Sequence, residues 1–220
     1  MININHLTKM YGNQTVFNRL NMNIEKNKVS FLMGENGAGK TTLLKCLLKL
    51  EHYEGGIRYD GEPLEAVRDR VHVIYDDSPF YFNLTGYQNI KILLNKPVKK
   101  EELEQTSQTF LDHSLLKKKV KTYSYGQRKK LALTIAALNK PAYLFLDEIS
   151  NGFDYRSMIE LQEMINDWSS EMTIVAAGHQ FEFYSSIVDQ LFVLKDGSAV
   201  HVENFKANGA DLGDVYKEYL

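Results

Sequence analysis

The sequence predicts an α/β fold: a parallel sheet covered by helices, with an antiparallel β part at the N-terminus and a helical segment inserted into the core. Three observations carry this expectation. Short apolar runs suited to buried strands, at Val29–Met33, Tyr143–Leu146, Thr173–Ala177 and Leu191–Leu194, alternate with helical patterns. Near the N-terminus the hydrophobic period is two residues instead. From Leu84 to about Lys140 no clear strand is visible.

Taken in order, Ile2 and Ile4, then Met22 and Ile24, alternate with polar neighbours and mark half-buried strands, with a turn at Gly12-Asn13. Val29–Met33 ends at Gly34 and runs into a glycine-rich loop, after which Leu43, Leu44, Leu47, Leu48 and Leu50 recur at helical spacing. Glu54-Gly55-Gly56 breaks the pattern before an edge strand at Ile57–Tyr59, closed by Asp60-Gly61, and Val71–Tyr75 is the next strand. Ile90–Leu94, Glu101–Leu111 and Leu131–Leu138 are helical in composition, so residues from about 84 to 140 are expected to form a helical subdomain within one domain spanning 1–220. A helix over Arg156–Trp168 separates two later strands, and Gly197 turns the last hairpin. In the tail, Leu212, Val215, Tyr216 and Tyr219 share one helical face.

With 220 residues, 44% apolar and 25% charged, the chain is long enough for a sizeable core and is not a disordered polypeptide. Lys and Arg total 26 against 28 Asp and Glu, a net charge of −2, so no nucleic-acid partner is expected. The Lys117–Lys119 and Arg128–Lys130 runs read as solvated helix faces. A single cysteine, Cys46, excludes an internal disulfide and a Cys-rich zinc site. No stretch approaches the roughly 20 apolar residues of a membrane span, and the N-terminus lacks the apolar core of a signal peptide. A cytoplasmic location is expected, with any membrane attachment supplied by another chain.

Gly34-Glu35-Asn36-Gly37-Ala38-Gly39-Lys40-Thr41 fits the phosphate-loop pattern G-x-x-x-x-G-K-[ST] in full. A polyphosphate needs many donors around it. Glycines let a loop curl so that backbone N–H groups point inward, and the helix opening at Lys40 adds its positive dipole end. Lys40 is placed to reach the β- and γ-phosphates, Thr41 to set its hydroxyl on Mg²⁺, and Thr42 to donate to a phosphate. A chance glycine turn would lack the strand before and the helix after. Kinases, GTPases, motors and transporters all use such loops, so the motif alone leaves the activity open.

Tyr143–Leu146 ends in Asp147-Glu148. Two acids closing a buried strand cost desolvation unless compensated, and a magnesium nucleotide compensates them. Asp147 is expected to hold Mg²⁺, and Glu148 to act on the attacking water as general base. The bland alternative is a strand end with solvated acids.

Tyr123-Ser124-Tyr125-Gly126-Gln127 stands upstream of that strand, with Lys140-Pro141 leading into it. This order resembles the ATP-binding domain of ABC transporters, whose signature reads LSGGQ; Ser124, Gly126 and Gln127 carry the match. The resemblance covers the whole chain. It implies that the signature contacts the γ-phosphate bound by a second subunit, and that Tyr11 stacks on adenine where a plain strand tyrosine is the alternative. Ser150-Asn151-Gly152-Phe153-Asp154 resembles the D-loop, with Asp154 as its acid, and Gly178-His179 resembles the switch histidine that reaches the γ-phosphate.

Two departures stand out. Where the family has a glutamine ligand to Mg²⁺, the count back from Leu84-Thr85 falls on Asp76, or on Asp77 if it slips by one. An aspartate is a hard oxygen ligand, one methylene shorter and charged. Some exporter-type subunits carry an acid there, which points towards drug, peptide-antibiotic or ABC-2 exporters. Ile149 replaces a common proline after the glutamate.

The resemblance thus implies an ATPase subunit using ATP and Mg²⁺. It would power a separate transmembrane permease subunit docked near Asp76–Asn89, on the inner face of the cell membrane. A second ATPase subunit, identical or different, would face it head to tail. Translation and DNA-repair relatives carry tandem domains or a long coiled coil, which this chain does not show. A small-molecule kinase would leave Ser124–Gln127 and Gly178-His179 unexplained.

Overall fold

The computed structural model describes residues 1–203, 205 and 211–220. The chain runs β1 (Ile2–Tyr11), β2 (Gln14–Ile24), β3 (Val29–Met33), α1 (Lys40–Leu47), β4 (Glu54–Tyr59), α2 (Leu64–Val67) and β5 (Val71–Ile74). There follow α3 (Gly86–Leu93), α4 (Lys100–Phe110), α5 (His113–Leu116), α6 (Tyr125–Asn139) and β6 (Tyr143–Asp147). The C-terminal part is α7 (Tyr155–Ser169), β7 (Thr173–Ala177), α8 (Phe181–Ser185), β8 (Gln190–Lys195), β9 (Ser198–Val202) and α9 (Leu212–Tyr219). Strands and helices alternate as the α/β expectation requires.

Two sheets form. The antiparallel one has the order β2-β1-β4, and the larger one has the order β5-β6-β7-β3-β8-β9. In the larger sheet every pairing from β5 to β8 is parallel, and β9 returns antiparallel along β8. Its central strands are apolar on both faces because both faces are covered. Leu144, Leu146, Ile174 and Ala176 face a core shared with Leu131, Ile135, Leu161 and Ile165 of α6 and α7. Tyr143, Phe145, Val175 and Ala177 face the other core, shared with α1 and with Ile2, Ile4, Leu7 and Phe17 of the antiparallel sheet. Period-two alternation along each strand thus feeds two separate hydrophobic layers.

Two expectations change. The Gly55-Gly56 pair does not break the fourth strand but lies inside it. Gly55 has φ 101°, and a Cβ there would stand 2.5 Å from the His6 carbonyl oxygen. The glycine admits a close backbone approach where the β1–β4 register shifts between Asn5 and Thr8. The leucine helix ends sooner than its spacing suggested. Leu48 is buried in the turn after α1, while Leu50 is 58% exposed.

Helices α3 to α6 follow one another between β5 and β6, and α6 packs on α3, α4 and β5. Capping boxes start α3, through Thr85 and Gln88, and α6, through Ser124 and Gln127. Among the described residues no helix is long and apolar enough to cross a membrane.

The loop from β5 to α3 is pinned by Asn89, which is fully buried. Its amide oxygen accepts from the Tyr81 N–H at 2.8 Å, and its amide nitrogen donates to the carbonyls of Tyr81 at 3.1 Å and Thr85 at 3.0 Å. Phe80 is buried under this clamp while Tyr81 and Phe82 stay exposed. Asn89→Ala leaves those loop groups unpaired and is expected to cost about 1–3 kcal/mol of unfolding free energy. Urea denaturation measures it, and an unchanged midpoint would show that the clamp is not what holds the loop.

Candidate active site

Parallel pairing sets the ends of three strands level. Ala177 of β7 is paired with Leu32 of β3 on one side and Asp147 of β6 on the other. The loops that leave these strands therefore emerge at one edge, the side of a parallel sheet where ligands bind. They carry Gly34–Lys40, Asp147-Glu148 and Gly178-His179.

The phosphate loop is shaped by close approach. Gly39 has φ 101°, and a Cβ on it would stand 2.7 Å from the Phe17 ring and 2.9 Å from a Val16 methyl. The β1–β2 hairpin thus presses on the last turn of the loop. Gly34 is equally confined, since a Cβ would meet the Leu194 carbonyl oxygen at 2.8 Å. Helix α1, opening at Lys40, has no side-chain cap and no acid in its first turn. The N-termini of α3, α6, α7 and α9 are capped by side chains, and α4, also without a cap, has Glu101 and Glu102 in its first turn. Orphan N–H groups with a positive dipole end, in a loop that curls around them, fit a polyphosphate. Lys40 is buried, and its Nζ donates to the carbonyls of Gly34 at 2.6 Å and Glu35 at 3.0 Å. Burial lowers its pKa, and the nearby Glu148 and Asp147 carboxylates oppose that shift. Asn36, Gly37 and Thr41 are exposed, with Ala38 and Thr42 half-buried.

Asp147 and Glu148 both sit above the usual carboxylate range. For Asp147 the main cause is burial, reinforced by Asp76 and opposed by Lys129 and Lys40. For Glu148 burial again dominates, His179 opposes it, and Asp147 adds to it. Glu148 occupies the left-handed region, φ 52°. Its N–H donates to the Ala177 carbonyl at 2.9 Å, and its Oε1 lies 3.2 Å from His179 Nε2.

Asp76 is half-buried while Asp77 is exposed. Asp76 Oδ1 accepts from the Tyr125 hydroxyl, from Asn151 Nδ2 at 3.1 Å and from Lys129 Nζ at 3.2 Å. Burial would raise its pKa, but those three hydrogen bonds outweigh burial and hold it below the usual range. The signature segment packs on the D-loop: a Cβ on Gly126 would stand 2.9 Å from the Gly152 carbonyl oxygen. The Tyr125 ring fills the space over Gly152.

Lys40, Asp147, Glu148 and His179 thus gather at the strand ends, and Asp76 joins the signature and the D-loop. Three other expected residues, Ser124, Gln127 and Asp154, make their contacts locally. Ser124 and Gln127 satisfy each other in the α6 capping box, Ser124 Oγ accepting from the Gln127 N–H at 3.2 Å. Asp154 caps α7 by accepting from the Ser157 N–H at 2.8 Å. Tyr11 is 44% exposed, with Lys9 Nζ 4.3 Å from its ring centre.

One sequence expectation is overturned here. Arg128–Lys130 is not simply a solvated face, because Lys129 is only 2% exposed. Its Nζ donates to the Glu148 carbonyl at 2.8 Å as well as to Asp76. The signal was present: Ala132, Leu133 and Ala136, three, four and seven residues on, place Lys129 on an apolar stripe. The Lys117–Lys119 run is exposed as expected, but it lies in the turn after α5 and not on a helix face.

Comparison with known proteins agrees with this geometry. The family described as ABC transporter matches residues 17–151. A lantibiotic transport ATP-binding protein, SrtF of Streptococcus pyogenes, is 34% identical, over 91% of this chain and 89% of the relative. A bacitracin transport ATP-binding protein, BcrA of Enterococcus faecalis, is 32% identical, over 97% of this chain and 75% of the relative. A solved structure described as the ATP-binding subunit of an ABC transporter superposes with a TM-score of 0.88. It covers 99% of this chain and 98% of its own at 22% identity, a likeness of fold. The small-molecule kinase alternative falls with these matches. With a complete phosphate loop, two acids at the end of β6, a family match over residues 17–151 and relatives matched along nearly the whole chain, the chain belongs to the ABC transporter family as an ATP-binding, ATP-hydrolysing subunit.

Proposed function

We propose that this chain binds Mg-ATP at the phosphate loop, hydrolyses it with Glu148 as general base, and so drives export through a separate transmembrane permease subunit. The observation that carries the reading is the meeting of Glu148 and His179, 3.2 Å apart, beside Lys40 and Asp147 at the ends of paired strands. Lys40 is held by two carbonyls of the loop. On ATP binding it exchanges them for the β- and γ-phosphate oxygens, whose charge shifts during transfer. Glu148 takes the proton of the attacking water, a task suited to a carboxyl whose pKa burial has raised. His179 holds Glu148 and reaches the γ-phosphate, and Tyr11 stacks on the adenine.

Thr41 and Asp147 are the residues to hold Mg²⁺; Asp76, expected as a further oxygen ligand, is instead engaged by Tyr125, Asn151 and Lys129. Among the described residues no three of His, Cys, Asp and Glu form a metal cage of their own. That donor set fits a magnesium ion held largely by nucleotide phosphates. Bound there, the ion neutralises charge on the phosphate oxygens.

A second ATPase subunit completes each site, with its Ser124, Gly126 and Gln127 meeting the γ-phosphate and Asp154 beside the interface. The permease docks at the loop pinned by Asn89, and through it the chain sits at the inner face of the membrane. The relatives named for lantibiotic and bacitracin transport support a peptide-antibiotic cargo.

Lys40→Ala is expected to abolish tight ATP binding and turnover, read by nucleotide titration and phosphate release; wild-type turnover would remove the lysine from the mechanism. Glu148→Gln is nearly isosteric but cannot take the proton. It is expected to keep ATP binding while slowing hydrolysis by about 10²–10⁴-fold. With Mg-ATP present it is expected to accumulate a dimer on size-exclusion chromatography. A monomer with full turnover would refute both roles.

A further inference from the structure

Lys129 is a charged side chain sealed inside the domain, and the mechanism above does not use it. A buried ammonium is costly unless it is paired and hydrogen-bonded. Its Nζ spends one hydrogen bond on the Glu148 carbonyl, at 2.8 Å, and one on Asp76 Oδ1, at 3.2 Å. It also lies 5.4 Å from the centre of the Tyr125 ring, one helical turn back along α6. The partners come from different parts of the chain: Glu148 from the end of β6, Asp76 from the loop after β5. The same Asp76 oxygen accepts from Tyr125 and from Asn151 in the turn before α7. A single ammonium–carboxylate pair therefore joins the signature helix, the D-loop, the acidic loop and the catalytic strand.

We propose that Lys129, held in place by Asp76, is a positioning residue for hydrolysis: it fixes the main chain of Glu148 so that the Glu148 carboxyl points at His179 and the attacking water. This rests on the reading of Glu148 as general base. The geometry that asks for such a device is the φ of 52° at Glu148. A non-glycine residue stays in that region only when its surroundings over-determine it. Here both of its backbone polar groups are tied: the N–H to the Ala177 carbonyl at 2.9 Å, the C=O to Lys129 at 2.8 Å and, more weakly, to the Asn151 N–H at 3.3 Å. Without the lysine the carbonyl keeps only the longer Asn151 bond, and the carboxyl shifts with the loosened main chain. Without Asp76 the ammonium loses its counter-charge and is drawn towards solvent. Asp76 thus acts on Glu148 through Lys129.

The test is steady-state ATP hydrolysis by the purified chain, with turnover counted per nucleotide-binding-competent molecule so that partial unfolding drops out. Lys129→Met keeps the length and removes the charge. It is expected to lower kcat by about 10–100-fold, the scale of a small misplacement of a catalytic group, with KM for ATP changed less than about threefold. Asp76→Asn, at a partly exposed position that tolerates change, is expected to lower kcat in the same sense, and saturating Mg²⁺ is not expected to restore it. The double variant is expected to match Lys129→Met alone, because two residues acting through one group are not additive. Lys129→Met turnover within twofold of wild type would overturn the proposal. So would a double loss equal to the product of the single losses, or an Asp76→Asn defect cured by Mg²⁺, which would assign Asp76 to the metal. Should Lys129→Met fail to fold, Asp76→Asn with unchanged kcat would overturn it equally. Full turnover by Glu148→Gln would instead sink the general-base reading, whatever Lys129 does.

Discussion

Ala177 is hydrogen-bonded into the sheet between Leu32 and Asp147, and its carbonyl oxygen also accepts from the Glu148 N–H. The chemistry of the protein depends on that level alignment. A side chain's face changes with every one-residue step along a strand, so a slip of one residue in β6 would exchange Tyr143 and Phe145 with Leu144 and Leu146 between two different cores. It would also carry Asp147 and Glu148 away from the phosphate loop. The apolar patterning of β6 and β7 on both faces is what forbids the slip. Hydrophobic packing thus sets the position of acids that contribute nothing to packing themselves.

Around this edge the charges are mutually dependent. Two buried lysines, Lys40 and Lys129, face the acids Asp76, Asp147 and Glu148. Burial lowers the pKa of both lysines despite the carboxylates beside them, and raises Asp147 despite the lysines and Glu148 despite His179. Desolvation is the leading influence on each of the four. Only Asp76 has enough donors on one oxygen for its charge to be favoured outright. The site is therefore a set of partly buried charges in which the state of each depends on its neighbours.

The parts readable in the sequence are those whose geometry is local. The phosphate loop is one continuous segment. Asp147, Glu148 and His179 each follow directly after an apolar run that could only be a strand, so strand order alone brings them together. Lys129 was readable only in part. The stripe of Ala132, Leu133 and Ala136 marks it as inward-facing, but its two hydrogen-bond partners lie 53 and 19 residues away in the chain, and only the fold places them. Ser124 and Gln127 hide a second role for the opposite reason. The spacing that marks a signature also marks a capping box, and in the fold Ser124 and Gln127 form that box. Gly55 reads as a strand breaker because a bulge and a break look alike in one sequence.

The strand order has a further meaning for how the molecule comes into being. β3, which launches the phosphate loop, is the third strand in the chain, yet both of its neighbours in the sheet, β7 and β8, are made of residues 173–195. On the ribosome the loop emerges long before either neighbour exists. The β1–β2 hairpin can close early from nearby residues, but the strand carrying the phosphate loop waits for contacts more than 140 residues distant, the slow, non-local kind. Most of the polypeptide must therefore be synthesised before the loop gains its rigid support, and a nascent or truncated chain that ends before β7 displays the nucleotide motif without the sheet that makes it a binding site.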